Sequence, residues 1–429
     1  MHDVDIFWQL ALGAQGGWID AEPFLATKRG EPMVPAYWLG QVALAKVHAI
    51  GGWRLLTIID AGMWLGGFVL AARSQHGGAK ITAVSLALGF VTAIAFQSLR
   101  PQSFAVLLFG LMTRMAAKPS WRLIILLAPL LVLWQNLHPS VLVAAGYLAT
   151  LTLTGGCHWP KFAAATLVAG LAVFATPAGA AILTLSANNA AMSTWLRTPE
   201  WLPLWSAENI RTDAAGAWVG LAAFAGTVAV RRSRLSGATL MPAAAFAVLT
   251  LLSFRFAVFF GLTLIPMLVD AWQRDDDRDP IPLRDWLVGM AAVAGMFAFM
   301  PVRFDLSFPF ATIDELKANG PAGPVYCHRA WGSIVSGHAP GCYPSHDGRM
   351  YLFTRAEWQA YADAAAGRVP VADLERQFHP TAWLLRPGFD DGLIELLNRE
   401  SNWRTVTMES SAILVLRKRT SRPDGRLER

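Results

Sequence analysis

Charge is scarce in this chain. Only 15% of its 429 residues are Asp, Glu, Lys or Arg, against about 25% in soluble proteins. Hydrophobic residues make up 54%, and the mean hydropathy is +0.38. This excludes a disordered chain, which is poor in apolar residues. It also argues against a water-soluble enzyme, because the apolar residues come in blocks too long for a soluble core. There is no P-loop, dinucleotide fingerprint, zinc-protease helix or serine nucleophile elbow. No internal repeat is visible, and the apolar runs lack the paired carboxylates of many ion-coupled transporters. What is abundant is Trp (18) and Pro (25), which suits a polytopic membrane protein with interfacial Trp and Pro in loops or kinks. The net charge of +6 follows from basic cytoplasmic loops and calls for no nucleic acid.

A helix crosses ~30 Å of hydrocarbon with ~20 residues. The hydropathy pattern predicts about ten spans: Trp53–Arg73, Ile81–Phe96, Ser103–Ala117, Leu123–Asn136, Val141–Gly155, Phe162–Leu185, Ala214–Val230, Ala238–Phe254, Phe256–Trp272 and Trp286–Val302. One set of loops holds Arg73, Lys80, Arg114, Lys118, Arg122, Lys161, Arg231, Arg232, Arg234, Arg274, Arg278 and Arg284. The alternate loops hold chiefly Arg100, Arg197, Arg211 and Arg255. The first set is therefore assigned to the cytoplasm. That puts both the N-terminal segment and the domain after Val302 outside. An outward start without a signal peptide fits a chain whose first spanning helix lies upstream, making eleven. The competing explanation is a short acidic tail that translocates unaided.

Four regions follow. Residues 1–52 read as a first outer loop whose Tyr37–Ala49 stretch is an amphipathic interfacial helix. Residues 53–303 form the transmembrane helical domain. Ser186–Asp213 is read as a further outer loop. From 304 to 417 the apolar runs shorten to strands Gly323–Tyr326, Ala382–Leu385 and Ala412–Leu416. Helical patterns Thr354–Ala366, Val371–Gln377 and Gly392–Glu400 separate them, which predicts a small extracytoplasmic α/β domain. Residues 418–429 read as a disordered basic tail.

Several residues could carry chemistry. Asp3 and Asp5 flank Val4 beside Phe7 and Trp8. They could act as a general base, or bind a divalent cation that bridges to phosphate; a solvated acidic tail is the bland alternative. Arg100 and Gln102, around Pro101, sit between two apolar runs, where an arginine is costly and normally functional. Arg255 sits similarly between Phe254 and Phe256. Asn136 and His138 end the fourth span beside Trp134, and could bind a polar headgroup or form only a polar helix end. Glu200, before Trp201, is a further outer charge. Asp60 and Asp270 are the acidic residues well inside the predicted spans. Thr176-Pro177-Ala178-Gly179 reads as a kink, and Asp347-Gly348-Arg349 as a turn or salt bridge. Cys157 is a bystander in a cytoplasmic turn. Cys327 and Cys342, in an oxidising compartment, could form a disulfide or remain two buried thiols; zinc is disfavoured by their spacing to His328, His338 and His346.

In this order the motifs resemble the C-type membrane glycosyltransferases, a superfamily that uses polyprenyl-phosphate-linked sugars on the outer leaflet. The resemblance rests on Asp3-Val4-Asp5-Ile6-Phe7-Trp8, Ile19-Asp20-Ala21-Glu22, Trp38-Leu39-Gly40, Arg100-Pro101-Gln102, Trp134-Gln135-Asn136-Leu137-His138, Pro199-Glu200-Trp201 and Asp347-Gly348-Arg349. It implies a multi-pass protein of the bacterial inner membrane, transferring a sugar from a polyprenyl-phosphate donor to an envelope acceptor. Asp5 would be the catalytic base, with Asp3 second. Arg100, His138 and Arg255 would bind the lipid phosphate, and Mg2+ or Mn2+ is the cofactor to test. One departure is Tyr37 before Trp38, where the family pattern has an acidic residue. The competing functions are a non-catalytic envelope assembly protein and a lipid-linked oligosaccharide transporter.

Overall fold

The computed structural model describes residues 3–210, 214–273 and 281–418. Arg211, Arg274 and Arg278, used above for orientation, and the tail beyond Lys418 lie outside them. The described residues are mostly helical, with eighteen α-helices and one five-stranded sheet. They divide into two compact units. One is the helical unit Pro35–Val302; the other joins Met1–Val34 to Arg303–Arg429.

In the helical unit, three helices are long and apolar enough to cross a membrane: Trp38–Ala72, Ala79–Phe96 and Phe254–Trp272. The other apolar helices, such as Gln102–Ala116, Val141–Thr154 and Gly237–Leu252, are shorter. Exposed Ile125, Leu126, Leu142, Leu153 and Leu167 face outward. A surface so apolar is unusual in water and is consistent with a membrane protein. Trp38–Ala72 is two helices meeting at a kink at Gly51 and Gly52, where Gly52 takes φ of 60°. The run Phe162–Leu185, expected as one span, is broken. Trp159–Ala172 ends, the chain turns through Thr176-Pro177-Ala178-Gly179, and Ala181–Trp195 begins. Proline disfavours helix in the residue before it, so Pro177 keeps the chain from continuing helically through Thr176. Ala181–Trp195 also fills much of what reads in sequence as a loop.

Glycine lets two of these helices meet backbone to backbone. A Cβ on Gly110 would stand 2.0 Å from the Gly67 carbonyl oxygen, and one on Gly67 would stand 2.4 Å from that of Val106. Such small-residue contacts are the usual route to tight helix packing in lipid. Phe109, Trp134, Tyr147, Phe246 and Phe259 fill the space beside this crossing. The two acids of the predicted spans, Asp60 and Asp270, are both tied into hydrogen bonds. Asp60 accepts from Ser103 Oγ, which in turn accepts from Trp64 Nε1 at 3.1 Å. Asp270 accepts from Ser236 N, Ser236 Oγ and Thr239 Oγ1 at 2.9, 2.8 and 2.6 Å. It thereby caps the start of the Gly237–Leu252 helix, where a negative charge is favoured.

In the second unit the strands are β1 (Gly323–Cys327), β2 (Cys342–Pro344), β3 (Ala382–Leu385), β4 (Trp403–Met408) and β5 (Ile413–Arg417). Their spatial order is β2-β1-β3-β5-β4, with β1 parallel to β2 and β3, and β5 antiparallel to β3 and β4. The expected disulfide is not formed: Cys327 and Cys342 are free and buried. The register pairs Cys342 with Gly323, four residues along β1 from Cys327. At ~3.3 Å per residue that is roughly 13 Å, nearly twice the reach of a disulfide. Burial instead pushes the Cys327 thiol up to about 12.

Asp390 follows β3 and is fully buried. Its Oδ2 accepts from Arg386 N at 2.7 Å, while Oδ1 has no partner among the described residues. Burial raises its pKa to about 7. The folded form therefore holds a proton that the unfolded chain releases near pH 3.9, so stability is full below about pH 4 and falls as pH rises towards 7. Asp390→Asn should remove this slope. At pH 8 the variant should exceed wild type by up to about 4 kcal/mol, and the difference should vanish near pH 4. Buried His328 and His346, both pushed down to about 3 by burial, impose the opposite slope but do so in both proteins. Amide exchange of residues 382–385 against pH measures the difference.

Candidate functional site

The candidate residues fall into two clusters, one in each unit. In the helical unit, three sequence motifs meet. Gly40 sits so close to its neighbours that a Cβ there would be 2.3 Å from Leu137 O and 3.2 Å from Pro101 Cβ. The Trp38-Leu39-Gly40, Arg100-Pro101-Gln102 and Asn136-Leu137-His138 segments are thus packed together. Gln102 opens the Gln102–Ala116 helix. Asn136 is used internally. Its Oδ1 accepts from Trp38 Nε1 at 2.8 Å, and its Nδ2 donates to Val132 O and Ala175 O at 2.8 and 2.7 Å. It ties three segments together rather than presenting an amide to a ligand.

His138 is different. Its ring lies 5.4 Å from that of Tyr37, and Nδ1 is 2.8 Å from Ser140 Oγ. Ser140 Oγ also accepts from Trp134 Nε1 at 2.9 Å. Trp is a donor only, and the serine oxygen can accept twice, so Ser140 either donates its proton to His138 Nδ1 or accepts from it. Burial, then the charges of Arg255 and Arg100, push the His138 pKa down to about 3. The ring is neutral at physiological pH, and both guanidinium groups act on it.

The two arginines are placed by one loop. Arg100 Nη1 lies 3.8 Å from Glu200 Oε2, with both side chains about one-third exposed. Arg255 lies flat over the adjacent Trp201, 3.7 Å from the ring centre, a close cation–π contact. Its Nη1 is buried with no hydrogen-bond partner among the described residues. Asn209, fully buried, clasps the loop by donating to Pro199 O, Leu202 O and Pro203 O at 2.9, 3.3 and 3.0 Å. Phe254 N donates to Leu202 O, and Leu204 N to Leu251 O, each at 3.0 Å. These bonds sew the Glu200-Trp201 segment to the chain around Arg255. The roles of Ser140, Trp201 and Asn209 escape sequence reasoning because each acts through a partner distant in sequence.

In the other unit, Asp3 is buried and its Oδ1 accepts from Asp5 N at 2.9 Å. Asp5 begins the Asp5–Ala14 helix. Its carboxylate lies against Gly348, where a Cβ would be 2.4 Å from Asp5 Oδ1. Next to it, Arg349 is fully buried between two carboxylates. Nη1 and Nη2 fork onto Glu22, the latter at 3.0 Å, while Nε and Nη2 reach Asp347 at 2.8 and 2.6 Å. Glu22 Oε1 also accepts from Phe24 N and Leu25 N at 2.8 and 2.9 Å. The guanidinium lies 5.3 Å from the ring of Trp8. The Asp347-Gly348-Arg349 turn is therefore the salt bridge that sequence suggests, with Glu22 as a partner the sequence does not reveal. Ala26 N donates to Pro344 O on β2 at 2.9 Å, and Lys28 pairs with Glu357 on the Arg355–Ala365 helix at 2.6 Å, so this segment is tied to both. Among the described residues, no group of three or more His, Cys, Asp or Glu side chains is arranged to hold a metal. Asp3 and Asp5 offer two carboxylates, the number that Mg2+ uses when water and phosphate complete its shell.

No protein-family model matches the chain, and no curated protein matches it in sequence.

Proposed function

We propose that the chain is an integral-membrane glycosyltransferase of the C type, moving a sugar from a polyprenyl-phosphate-linked donor to an acceptor on the outer face of a bacterial inner membrane. The observation that carries this reading is the pair Arg100 and Arg255 acting on a neutral His138 where apolar helices end. Two guanidinium groups suit a phosphate, and they would stabilise the charge that develops on it as the sugar leaves. Asp5 is the candidate base for the acceptor hydroxyl, with Asp3 second. A divalent cation, if used, would bind these two carboxylates. The shorter helices are read as spans as well, about ten in all. Helices of 14–17 residues reach roughly 21–26 Å, and 3-10 turns such as Gly156–His158 and Arg232–Arg234 extend them.

The test is deletion of the gene, with envelope glycans and lipid-linked sugars profiled by mass spectrometry. Loss of one sugar is expected, rescued by wild type and not by Asp5→Asn. An unchanged profile would replace transfer by the assembly-protein reading. Rescue by both versions would keep the pathway and remove Asp5 as the base.

A further inference from the structure

The helical unit holds a second feature that the proposed transfer leaves unused. Four helices, Gln102–Ala116, Trp121–Leu137, Val141–Thr154 and Trp159–Ala172, wall a cavity. It is an open groove, and about 320 Å³ of space lies within the groove and its mouth. Its lining includes Met112, Met115, Ile124, Leu127, Leu148 and Phe162. The one charged residue on the wall is Lys161, at the rim, whose Nζ lies 3.4 Å from Pro119 O.

The rim has a definite chemical character. Trp121 and Trp159 open two of the four helices and are 57% and 56% exposed. Tryptophans placed so are typical of a membrane–water boundary. Arg114, Lys118 and Arg122 lie in the same turn of chain as Pro119 and Ser120, which line the cavity. No Asp or Glu occurs anywhere between Asp60 and Glu200. Among the described residues none of Arg114, Lys118, Arg122 or Lys161 forms an ion pair. An apolar groove therefore opens beside Lys161, on a stretch of sequence that is basic and carries no acid.

We infer that this cavity is a binding site for an anionic phospholipid, one acyl chain lying in the slot and the phosphodiester resting on Lys161 and Arg122. The apolar walls suit hydrocarbon and offer a polar ligand nothing to bond. Lys161 and Arg122, on a stretch of sequence without acid, favour an anionic over a zwitterionic headgroup. The inference rests on the reading of this unit as membrane-spanning, and it needs no sugar transfer.

The test is native mass spectrometry of the full chain in detergent, with phosphatidylglycerol and phosphatidylcholine of identical acyl chains. Wild type should retain phosphatidylglycerol in preference, by roughly 30-fold for two basic side chains. Lys161→Gln with Arg122→Gln should bring the two lipids to near parity. Arg231→Gln with Arg232→Gln, at another basic loop, should leave the preference intact. Ala165→Leu, which narrows the slot, should lower retention of both lipids, and Ser120→Leu at the mouth should do the same if the first variant fails to fold. Equal retention by wild type, or a preference that survives loss of Lys161 and Arg122, overturns the site. Carbonate extraction of the protein from cell membranes tests the membrane reading separately, and no sugar donor enters either assay.

Discussion

Arg349→Met should unfold the α/β unit. The guanidinium is fully buried and forks onto Glu22 while also bonding Asp347. Removing it leaves two carboxylates in the interior without their cation. Breaking a buried pair from one side costs about 3–5 kcal/mol, a large part of the 5–15 kcal/mol that typically holds a domain together. The consequence reaches further than the turn itself. Glu22 Oε1 also accepts from Phe24 N and Leu25 N, so the variant loosens the segment that carries Ala26 onto β2. Limited proteolysis should then cut between residues 15 and 34, where wild type resists. Arg349→Met combined with Glu22→Gln and Asp347→Asn should recover much of the loss, because the uncompensated charges go with the cation. Equal resistance to proteolysis in the single variant and wild type would mean that the network is dispensable.

Much of the fold is legible in the sequence, and the exceptions have physical causes. Apolar blocks locate most helices of the helical unit to within a few residues, since a helix packed among helices or lipid must be apolar on most faces. At Pro177 the apolar runs on either side mask a local break. In the α/β unit, β1, β3 and β5 are apolar runs and read directly. β2 is three residues ending in Pro344, and β4 carries the consecutive exposed residues Arg404 and Thr405 on the sheet edge; neither has the apolar run that marks a buried strand. The close backbone contact of Gly67 and Gly110 leaves no periodic trace at all. Among the candidate residues, Arg100, His138, Glu200 and Arg255 meet through loops that sequence distance conceals. Asn136 misleads for a general reason: a polar residue at a helix end has the same signature whether it serves the backbone or a ligand. The joining of residues 1–34 to the C-terminal unit could be read from no local pattern, because the bond that makes it runs from Glu22 to Arg349.

Arg255→Ala should abolish transfer with little effect on the amount of protein in the membrane. The side chain lies on Trp201 at 3.7 Å and keeps one buried N–H without a partner among the described residues. An unmet buried donor costs about 1–3 kcal/mol, so the protein tolerates it at a price in stability, and its removal should not unfold the unit. If that donor meets the departing phosphate, its loss should lower the rate about 100-fold or more. The effect should fall on kcat rather than KM, because the charge on the bridging oxygen grows only as the sugar–oxygen bond breaks. Arg255→Lys should recover little, since an ammonium cannot lie flat on the indole while aiming a fork of N–H groups. Trp201→Phe keeps an aromatic face and should retain much of the activity. A rise in KM with kcat unchanged would assign Arg255 to holding the lipid in the ground state. Full activity in Arg255→Ala would remove the cationic cluster from the chemistry altogether, because Arg100 is already engaged by Glu200 and His138 carries no charge of its own.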